Sequence, residues 1–241
     1  MKTLVLDIET SPNVAHVWGL WQQNVSLDQL RESSFTLCWA AKWHGEKKVH
    51  FRNYNDPEMV PHVHNLLDEA DAVVTYNGDQ FDLPTLHREI LLAGYPPPSP
   101  TKSIDLCKVV KQKFRFPSNK LAYVTAELGL SGKLSHSGHR LWVGVMADDD
   151  KAWATMKKYN IQDVRVTEEL YDRLVPWIDG MPNRRLYATD DACPRCGAAE
   201  LKREGHAYTR LGKYQRYRCG GCGGWSRSSR RDDGTTIQAA V

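Results

Sequence analysis

The sequence predicts an α/β fold followed by a second, cysteine-bearing domain. Short apolar runs typical of strands come first, and segments with helical periodicity lie between and after them. Of the 241 residues, 41% are hydrophobic and 25% are charged, a composition that supports a sizeable core. Two pairs of cysteines occur near the C-terminus. We therefore expect an α/β domain over residues 1–182, a small domain over 183–231 and a disordered tail over 232–241.

Each element of the first domain has a local signal. Runs rich in apolar, β-branched and aromatic residues predict strands over 4–10, 35–41, 48–52, 72–76 and 103–105. Apolar residues three and four positions apart predict helices over 57–70, 81–93, 119–128 and 151–177. Asp105 is suited to cap a further helix that begins after it. Gly94 and Gly129 follow two of the helices, as is common at helix ends.

Two segments lack a clear period. Residues 14–30 contain Trp18 and Trp21, which we expect to be buried in a loop that lies across the sheet. Exposed tryptophans there would instead be suited to stacking on bases. Residues 131–150 are rich in Ser, Gly and His, and we expect them to form a long surface loop.

The first strand carries two acids within an apolar run. Side chains two residues apart on a strand point to the same face, so Asp7 and Glu9 would form a negative pair while Leu6 and Ile8 face the core. Two neighbouring carboxylates repel each other unless a cation lies between them, and Mg²⁺ or Mn²⁺ prefers such oxygen ligands. The alternative is a strand that ends at Leu6, with two solvated acids in a turn.

Two further acidic motifs favour the metal-binding interpretation. The three motifs follow one another as Asp7-x-Glu9, Asn77-x-x-x-Phe81-Asp82 and Tyr159-x-x-x-Asp163. This series resembles the DEDDy 3′–5′ exonucleases of the ribonuclease H-like superfamily, which include the proofreading domains of family B DNA polymerases. The histidine branch of these enzymes would need His where this chain has Lys158. The resemblance spans residues 1 to about 178.

The resemblance implies a ribonuclease H-like mixed sheet flanked by helices, and a two-metal hydrolysis of phosphodiester bonds in DNA, with single-stranded or frayed 3′ ends favoured. Two Mg²⁺ or Mn²⁺ ions would be held by Asp7, Glu9 and Asp163, with Asp82 completing the second metal site or its outer shell. Tyr159 would orient the attacking water, because a phenol with a pKa near 10 is a poor general base. Asn77 and Phe81 would contact the terminal nucleotide or support Asp82.

Other residues and other functions remain open from the sequence. His136, His139 and Arg140 are expected substrate contacts, with a solvated loop as the alternative. An RNA 3′–5′ exonuclease would use the same metal chemistry, since nothing in the sequence identifies what meets the 2′ position. A function of another class is a catalytically inactive adaptor that binds nucleic acid. The intact set of acids argues against the adaptor.

The C-terminal region predicts a zinc ribbon. Cys193, Cys196, Cys219 and Cys222 form two C-x-x-C pairs with twenty-two residues between them, which predicts one structural Zn²⁺ rather than disulfides. From residue 183 onward there are twelve Lys/Arg and six Asp/Glu, so this region is net +6 whereas the rest of the chain is net −3. We expect the ribbon to bind nucleic acid through basic residues interleaved with aromatics, among them Arg210, Lys213, Arg216 and Arg218.

The sequence also indicates where in the cell the protein is expected. No apolar run approaches the eighteen or so residues that a membrane helix needs, and the chain starts directly with a strand instead of a signal peptide. We therefore expect a cytoplasmic protein without a membrane partner. The resemblance is to compact nucleases of bacteria and their phages, so the location would be a bacterial or phage-infected cell. The resemblance implies nucleic acid as the partner, DNA more than RNA. It also implies replication or repair proteins as candidate partners.

Overall fold

A computed structural model describes the chain over residues 1–132, 134, 137–188 and 192–237. The chain divides into two compact units, Lys2–Leu170 and Tyr171–Val241, with Met1 grouped with the second. The strands are β1 Thr3–Thr10, β2 Val14–Ala15, β3 Leu30–Glu32, β4 Thr36–Trp43, β5 Val49–Asn53, β6 Ala72–Thr75, β7 Lys102–Asp105, β8 Leu201–Tyr208, β9 Gly212–Cys219, β10 Trp225–Arg227 and β11 Asp233–Gly234. The α-helices are α1 Met59–Glu69, α2 Asp82–Leu92, α3 Leu106–Lys113, α4 Leu121–Glu127, α5 His139–Met146 and α6 Asp150–Leu174.

The first unit is built on a five-stranded mixed sheet. Its strand order is β5-β4-β1-β6-β7, with β1 antiparallel to β4 and parallel to β6. The central place of β1 agrees with its sequence, because Leu4, Val5 and Leu6 are fully buried. The mixed sheet and its flanking helices confirm the predicted α/β class.

The two faces of β1 have different neighbours. Leu4, Leu6 and Ile8 pack into a core cluster that includes residues of α1 and α2. Asp7 and Glu9 lie opposite Ala40 and Cys38 of β4, on the other face. Cys38 belongs to a second cluster, which includes residues of α5 and α6. The acid pair therefore faces the layer that contains α6, and the expectation that Leu6 and Ile8 point into the core is confirmed.

We expected residues 131–150 to form a loop, but His139–Met146 within this range form the helix α5. Gly138, with φ of +64°, immediately precedes the helix. Leu141 and Val145 are four residues apart, so they share a face, and both pack on Leu37 and Cys38. Burial of this short apolar stripe offsets the poor helix propensity of the surrounding Ser and Gly residues. His136 lies outside the described residues, so its predicted contact with substrate has no structural counterpart here.

The two tryptophans between β2 and β3 are not buried, contrary to our expectation. Trp18 and Trp21, which we expected to be buried, are 97% and 85% exposed. The strands β2 and β3 pair with each other as a separate two-stranded sheet, so the segment projects from the main sheet as a hairpin. Tryptophan is buried on average. That average preference does not apply here, because the tip of this hairpin does not pack on the core.

The second unit contains a four-stranded antiparallel sheet. β9 pairs with β8, β10 and β11, and the turn between β8 and β9 lies at residues 209–211. Asp233–Gly234 pairs with Lys213 and Gly212, whereas we expected disorder from residue 232 onward. Residues 238–241 of that predicted tail lie outside the described part. Among the described residues, no helix combines the length and apolar character that a membrane span needs.

Candidate active site and metal centres

Three of the four predicted acids converge at the end of β1. Asp7, Glu9 and Asp163 each offer a carboxylate oxygen, and these atoms all lie within 4.8 Å of one another. Asp163 is almost fully buried, while Asp7 and Glu9 are partly exposed. Three carboxylates at this distance repel one another in the absence of a cation. The donor set is all oxygen, which fits Mg²⁺ or Mn²⁺ and does not favour softer metals.

Helix α6 brings Asp163 to the sheet. Lys42 of β4 forms an ion pair with Glu168 of α6, and both side chains are largely buried. The backbone N–H of Gly45 also donates to Glu168, at 2.8 Å. These contacts fix α6 five residues beyond Asp163, so the acid is held against the sheet by contacts of its own helix.

Tyr159 lies one helical turn before Asp163 and beside the acids. Burial raises the pKa of its phenol well above the usual value, and the charges of Asp163, Glu9 and Asp7 raise it further. The phenol therefore stays protonated at neutral pH and can donate a hydrogen bond. Its ring makes an edge contact with Trp142 of α5, with centroids 6.4 Å apart. Trp142 in turn donates from Nε1 to the carbonyl of Thr10, at 3.1 Å, so β1 and α5 together position the tyrosine.

Asn160 is a site residue that our sequence reasoning missed. It is fully buried, and its Nδ2 donates to Oδ2 of Asp7 at 2.7 Å and to the Asp7 carbonyl at 3.2 Å. Its Oδ1 accepts from the Cys38 thiol at 3.8 Å. The only sequence signal was a neutral amide inside the Tyr-x-x-x-Asp motif. Asn160 thus fixes the orientation of the Asp7 carboxylate from across the site.

Asp82 occupies a different position from the other three acids. It lies at the start of α2, outside the group of close carboxylates, and it is 3% exposed. Its Oδ1 accepts from the backbone N–H of Ile8 at 3.1 Å, between Asp7 and Glu9. Burial raises the pKa of Asp82 to about 7, although the N–H groups of Ile8 and of Asp82 itself lower it. This geometry supports an outer position in which Asp82 braces the strand that carries the acid pair.

The rest of the middle motif lies in the turn between β6 and α2. Asn77 has φ of +68°, a left-handed conformation that Asn tolerates better than most residues. Its N–H donates to Asp105 at 2.8 Å, and Asp105 also caps α3 by accepting from Cys107. Asp105 is therefore the predicted helix cap and lies outside the acid cluster. Phe81 is 43% exposed, so its ring is accessible to a ligand.

The other predicted substrate contacts in the first unit lie at the start of α5. His139 and Arg140 are exposed, and neither belongs to the acid cluster. His139 precedes Trp142 by three residues, so the two side chains share a helix face. Trp142 contacts the end of β1, so the helix that carries His139 and Arg140 lies next to the strand that bears the acids.

The four cysteines form a second cluster, in the second unit. Their sulfurs lie within 4.8 Å of one another, and none forms a disulfide. Two of the pairs, Cys193–Cys222 and Cys196–Cys219, have sulfur separations of 3.9 and 3.6 Å. A tetrahedral zinc site with Zn–S bonds of about 2.3 Å requires sulfurs about 3.8 Å apart. Backbone N–H groups of Ala198, Cys222 and Gly224 point at the sulfurs, as thiolate ligands require. The cluster therefore fits a four-coordinate zinc ion.

The basic residues of the ribbon lie on more than one face. Arg216 and Arg218 are two residues apart on β9 and therefore share a face. Their guanidinium carbons lie 4.4 and 5.6 Å from the Trp225 ring centroid. Arg227 of β10 lies 4.2 Å from the ring centroid of Tyr214. Lys213 is on the opposite face of β9, and Arg210 is in the turn that precedes it. The four predicted residues therefore do not share one face, and Arg227 lies against an aromatic ring as Arg216 and Arg218 do.

Two comparisons with known proteins gave matches. A family model described as the RNase H superfamily matches residues 4–175, which include all four predicted acids. Among solved structures, the family B DNA polymerase from the hyperthermophilic archaeon Pyrobaculum calidifontis is similar, with a TM-score of 0.56 and 18% identity. The match covers 87% of this chain and 31% of the polymerase, so the chain spans about a third of the polymerase's length. No curated protein sequence matches the chain.

Proposed function

Since the chain belongs to the RNase H superfamily, we propose that it is a metal-dependent 3′–5′ exonuclease that hydrolyses phosphodiester bonds of DNA. The observation that carries the proposal is the convergence of Asp7, Glu9 and Asp163, with oxygens within 4.8 Å, beside Tyr159. These residues come from the first and third of the motifs that resemble the DEDDy exonucleases.

The acids would hold two divalent ions, Mg²⁺ or Mn²⁺, with Asp7 as the residue suited to contact both. Such ions supply charge stabilisation for the attacking and the leaving oxygen of the phosphodiester. The chain's own contribution is to hold the ligands in place before substrate arrives. Asn160 fixes Asp7 through Nδ2, and Asp82 fixes the backbone between Asp7 and Glu9.

Tyr159 acts on the attacking water as a donor of a hydrogen bond and not as a base. Its raised pKa keeps the phenolic proton in place throughout the neutral range. Because its ring is held by Trp142, the hydroxyl group has a restricted set of positions. A positioned group of this kind lowers the barrier by orienting the nucleophile rather than by accepting its proton. Asn77 and Phe81, at the mouth of the β6–α2 turn, would contact the terminal nucleotide, and His139 and Arg140 would contact the substrate from α5.

The ribbon would bind one structural Zn²⁺ and hold nucleic acid. Arg216, Arg218 and Arg227 have no carboxylate partner among the described residues, so their charge is available to phosphates. The guanidinium groups lie against aromatic rings, which orients their N–H edges at a low cost in side-chain entropy. We therefore assign the ribbon to the sugar–phosphate backbone, with replication or repair proteins as further candidate partners in the cytoplasm.

The test uses matched single strands of DNA and RNA that carry a fluorophore at the 5′ end. After dialysis to remove free metal, the protein is assayed with and without added Mg²⁺ or Mn²⁺, next to the Asp7→Ala variant as a control that leaves the zinc site untouched. We expect a ladder that shortens from the 3′ end, only with added metal and only in the wild-type protein. Equal hydrolysis by Asp7→Ala, or hydrolysis from the 5′ end, would refute the proposal. Faster hydrolysis of RNA would favour an RNA exonuclease, and binding without hydrolysis would favour an adaptor.

A further inference from the structure

The segment between β1 and β4 carries several large apolar side chains that are exposed and do not contribute to the core. We name residues 14–32 the tryptophan hairpin. Trp18 and Trp21 at its tip are 97% and 85% exposed, and Leu20 and Leu27 of the same segment are exposed to a similar degree. Several large exposed apolar side chains in one short segment are typical of a binding site.

The tryptophan hairpin is held in place at its base. Ser11 donates from its N–H to the Phe35 carbonyl at 2.9 Å, and the Phe35 N–H donates to Ser11 Oγ at 2.9 Å. The Ser34 N–H donates to Asn13 at 2.7 Å. Farther out, His16 and Gln29 are joined by two bonds of 2.9 Å. The exposed rings are therefore presented by a bonded scaffold.

The charge of the segment limits what it can bind. From Ser11 to Leu27 the sequence contains no Asp, Glu, Lys or Arg. A surface without cations has nothing to offer a phosphate backbone, whose binding is dominated by Lys and Arg. The part up to Leu27 also has no acid that would repel a nucleic acid; Asp28, Arg31 and Glu32 follow it, in or next to β3. Tryptophan rings with adjacent neutral amides, Gln22 and Gln23, instead match the apolar faces and polar edges of unpaired bases.

The position of the hairpin relative to the acids fits the same ligand. Trp18 follows Glu9 by nine residues, so the two lie no more than about 30 Å apart. A stacked strand rises about 3.4 Å per nucleotide, so a strand with its 3′ end at the acids reaches Trp18 within about nine nucleotides. The hairpin follows directly on the strand that carries the acids, so its tip is within reach of a single strand bound at the acid site.

We propose that Trp18 and Trp21 stack on unpaired bases of the strand whose 3′ end occupies the acid site. The inference rests on the proposed nuclease function and adds the element that would bind the unpaired bases next to the 3′ end of the strand. A duplex end would have to fray before it engages the hairpin. Phosphates would be bound elsewhere, so the hairpin contributes base contacts that do not depend on salt.

The experiment measures binding of fluorescent single strands in the Asp7→Ala background, which prevents hydrolysis. Replacing Trp18 and Trp21 by alanine should weaken binding by about 5- to 150-fold per stacked base. The slope of log K against log salt should not change, because no phosphate contact is lost. The double variant Leu91→Ala/Leu92→Ala is the matched control, since these leucines are also exposed but lie on α2. It should bind as the parent does.

A second arm uses strands in which an abasic site is moved through the last nine positions. In the parent protein we expect a loss of affinity at specific positions, and in the tryptophan double variant the same abasic sites should cost nothing further. A uniform response to abasic sites in both proteins would overturn the inference. So would a monomer–dimer equilibrium, measured by light scattering, that disappears in the double variant, because the hairpin would then bind a second copy of the chain.

The two proposals fail in distinguishable ways. Hydrolysis of bis(p-nitrophenyl) phosphate, which has no bases, tests the acid site alone, and the tryptophan double variant should retain the wild-type rate. If neither protein hydrolyses any substrate while the abasic pattern is observed, the nuclease function fails and the base contacts stand. If hydrolysis is intact and the abasic pattern is absent, the assignment of the hairpin fails alone.

Discussion

Replacing Asn160 by alanine tests whether the acid site depends on a preset orientation of Asp7. The amide donates to Asp7 Oδ2 at 2.7 Å and is fully buried, so its truncation removes the donor that orients this carboxylate. Removing it leaves Asp7 free to turn toward solvent when no metal is bound. We therefore expect weaker metal binding and slower turnover, with the other ligands unchanged.

The magnitude follows from the bond that is lost. A hydrogen bond to a charged acceptor contributes about 1.5–3 kcal/mol, which corresponds to about a 10- to 150-fold change in an equilibrium constant. Outer residues that orient metal ligands have effects of about 10- to 100-fold on metal affinity or activity. The concentration of Mn²⁺ that gives half-maximal activity should rise by a factor in this range, and high Mn²⁺ should restore part of the rate.

The assay is the initial rate of strand shortening over a Mn²⁺ titration. Thr125→Ala is the matched control, because Thr125 is also buried and donates to the Leu121 carbonyl at 2.9 Å, but it lies on α4 and contacts none of the acids. It should lower the melting temperature without moving the Mn²⁺ midpoint. If Asn160→Ala keeps the wild-type midpoint and rate, or if Thr125→Ala shifts the midpoint equally, the positioning role of Asn160 is refuted.

Three further predictions concern separate parts of the chain. Tyr159→Phe should lower kcat by about tenfold to a thousandfold with KM nearly unchanged, since only a positioning hydroxyl is removed; a wild-type kcat in steady-state assays would make Tyr159 a packing residue. Cys219→Ser should release the single zinc ion measured by elemental analysis and unfold the ribbon, while the melting transition of the first unit persists; retention of zinc would contradict the four-cysteine site. Ending the chain at Pro182 should leave an active nuclease whose binding has a flatter salt dependence, by about 0.7 per lost phosphate contact on a single strand. An unchanged slope would assign the ribbon to a protein partner, and precipitation of the truncated chain would make the ribbon part of the nuclease fold.

The sheet and most helices could be predicted because their signals are local. The alternation of Leu6, Asp7, Ile8 and Glu9 specifies both faces of β1, and the structure places the two apolar residues in the core. The C-x-x-C spacing likewise specifies a sulfur cluster without knowledge of the strands between the pairs. Such patterns are fixed by period or by ligand geometry, and both can be read from a few residues.

What could not be predicted depends on tertiary context. Asn160 is separated from Asp7 by 153 positions, so its role becomes visible only when α6 is placed against β1. The helix α5 forms because Leu141 and Val145 find an apolar surface, although their segment has poor helix propensity. The exposure of Trp18 and Trp21 is opposite to the general preference of tryptophan, and no local signal in the segment indicates it.

The central claim is that Asp7, Glu9 and Asp163 hold the divalent ions that make phosphodiester hydrolysis possible. Crystals grown with Mn²⁺ and measured at the manganese absorption edge would test it most directly. We predict two anomalous peaks roughly 3.5–4 Å apart, both contacted by Asp7 and both absent in crystals of Asp7→Ala. Active protein that shows no peak among these three acids at saturating Mn²⁺, or that retains the peaks in Asp7→Ala, would contradict the claim.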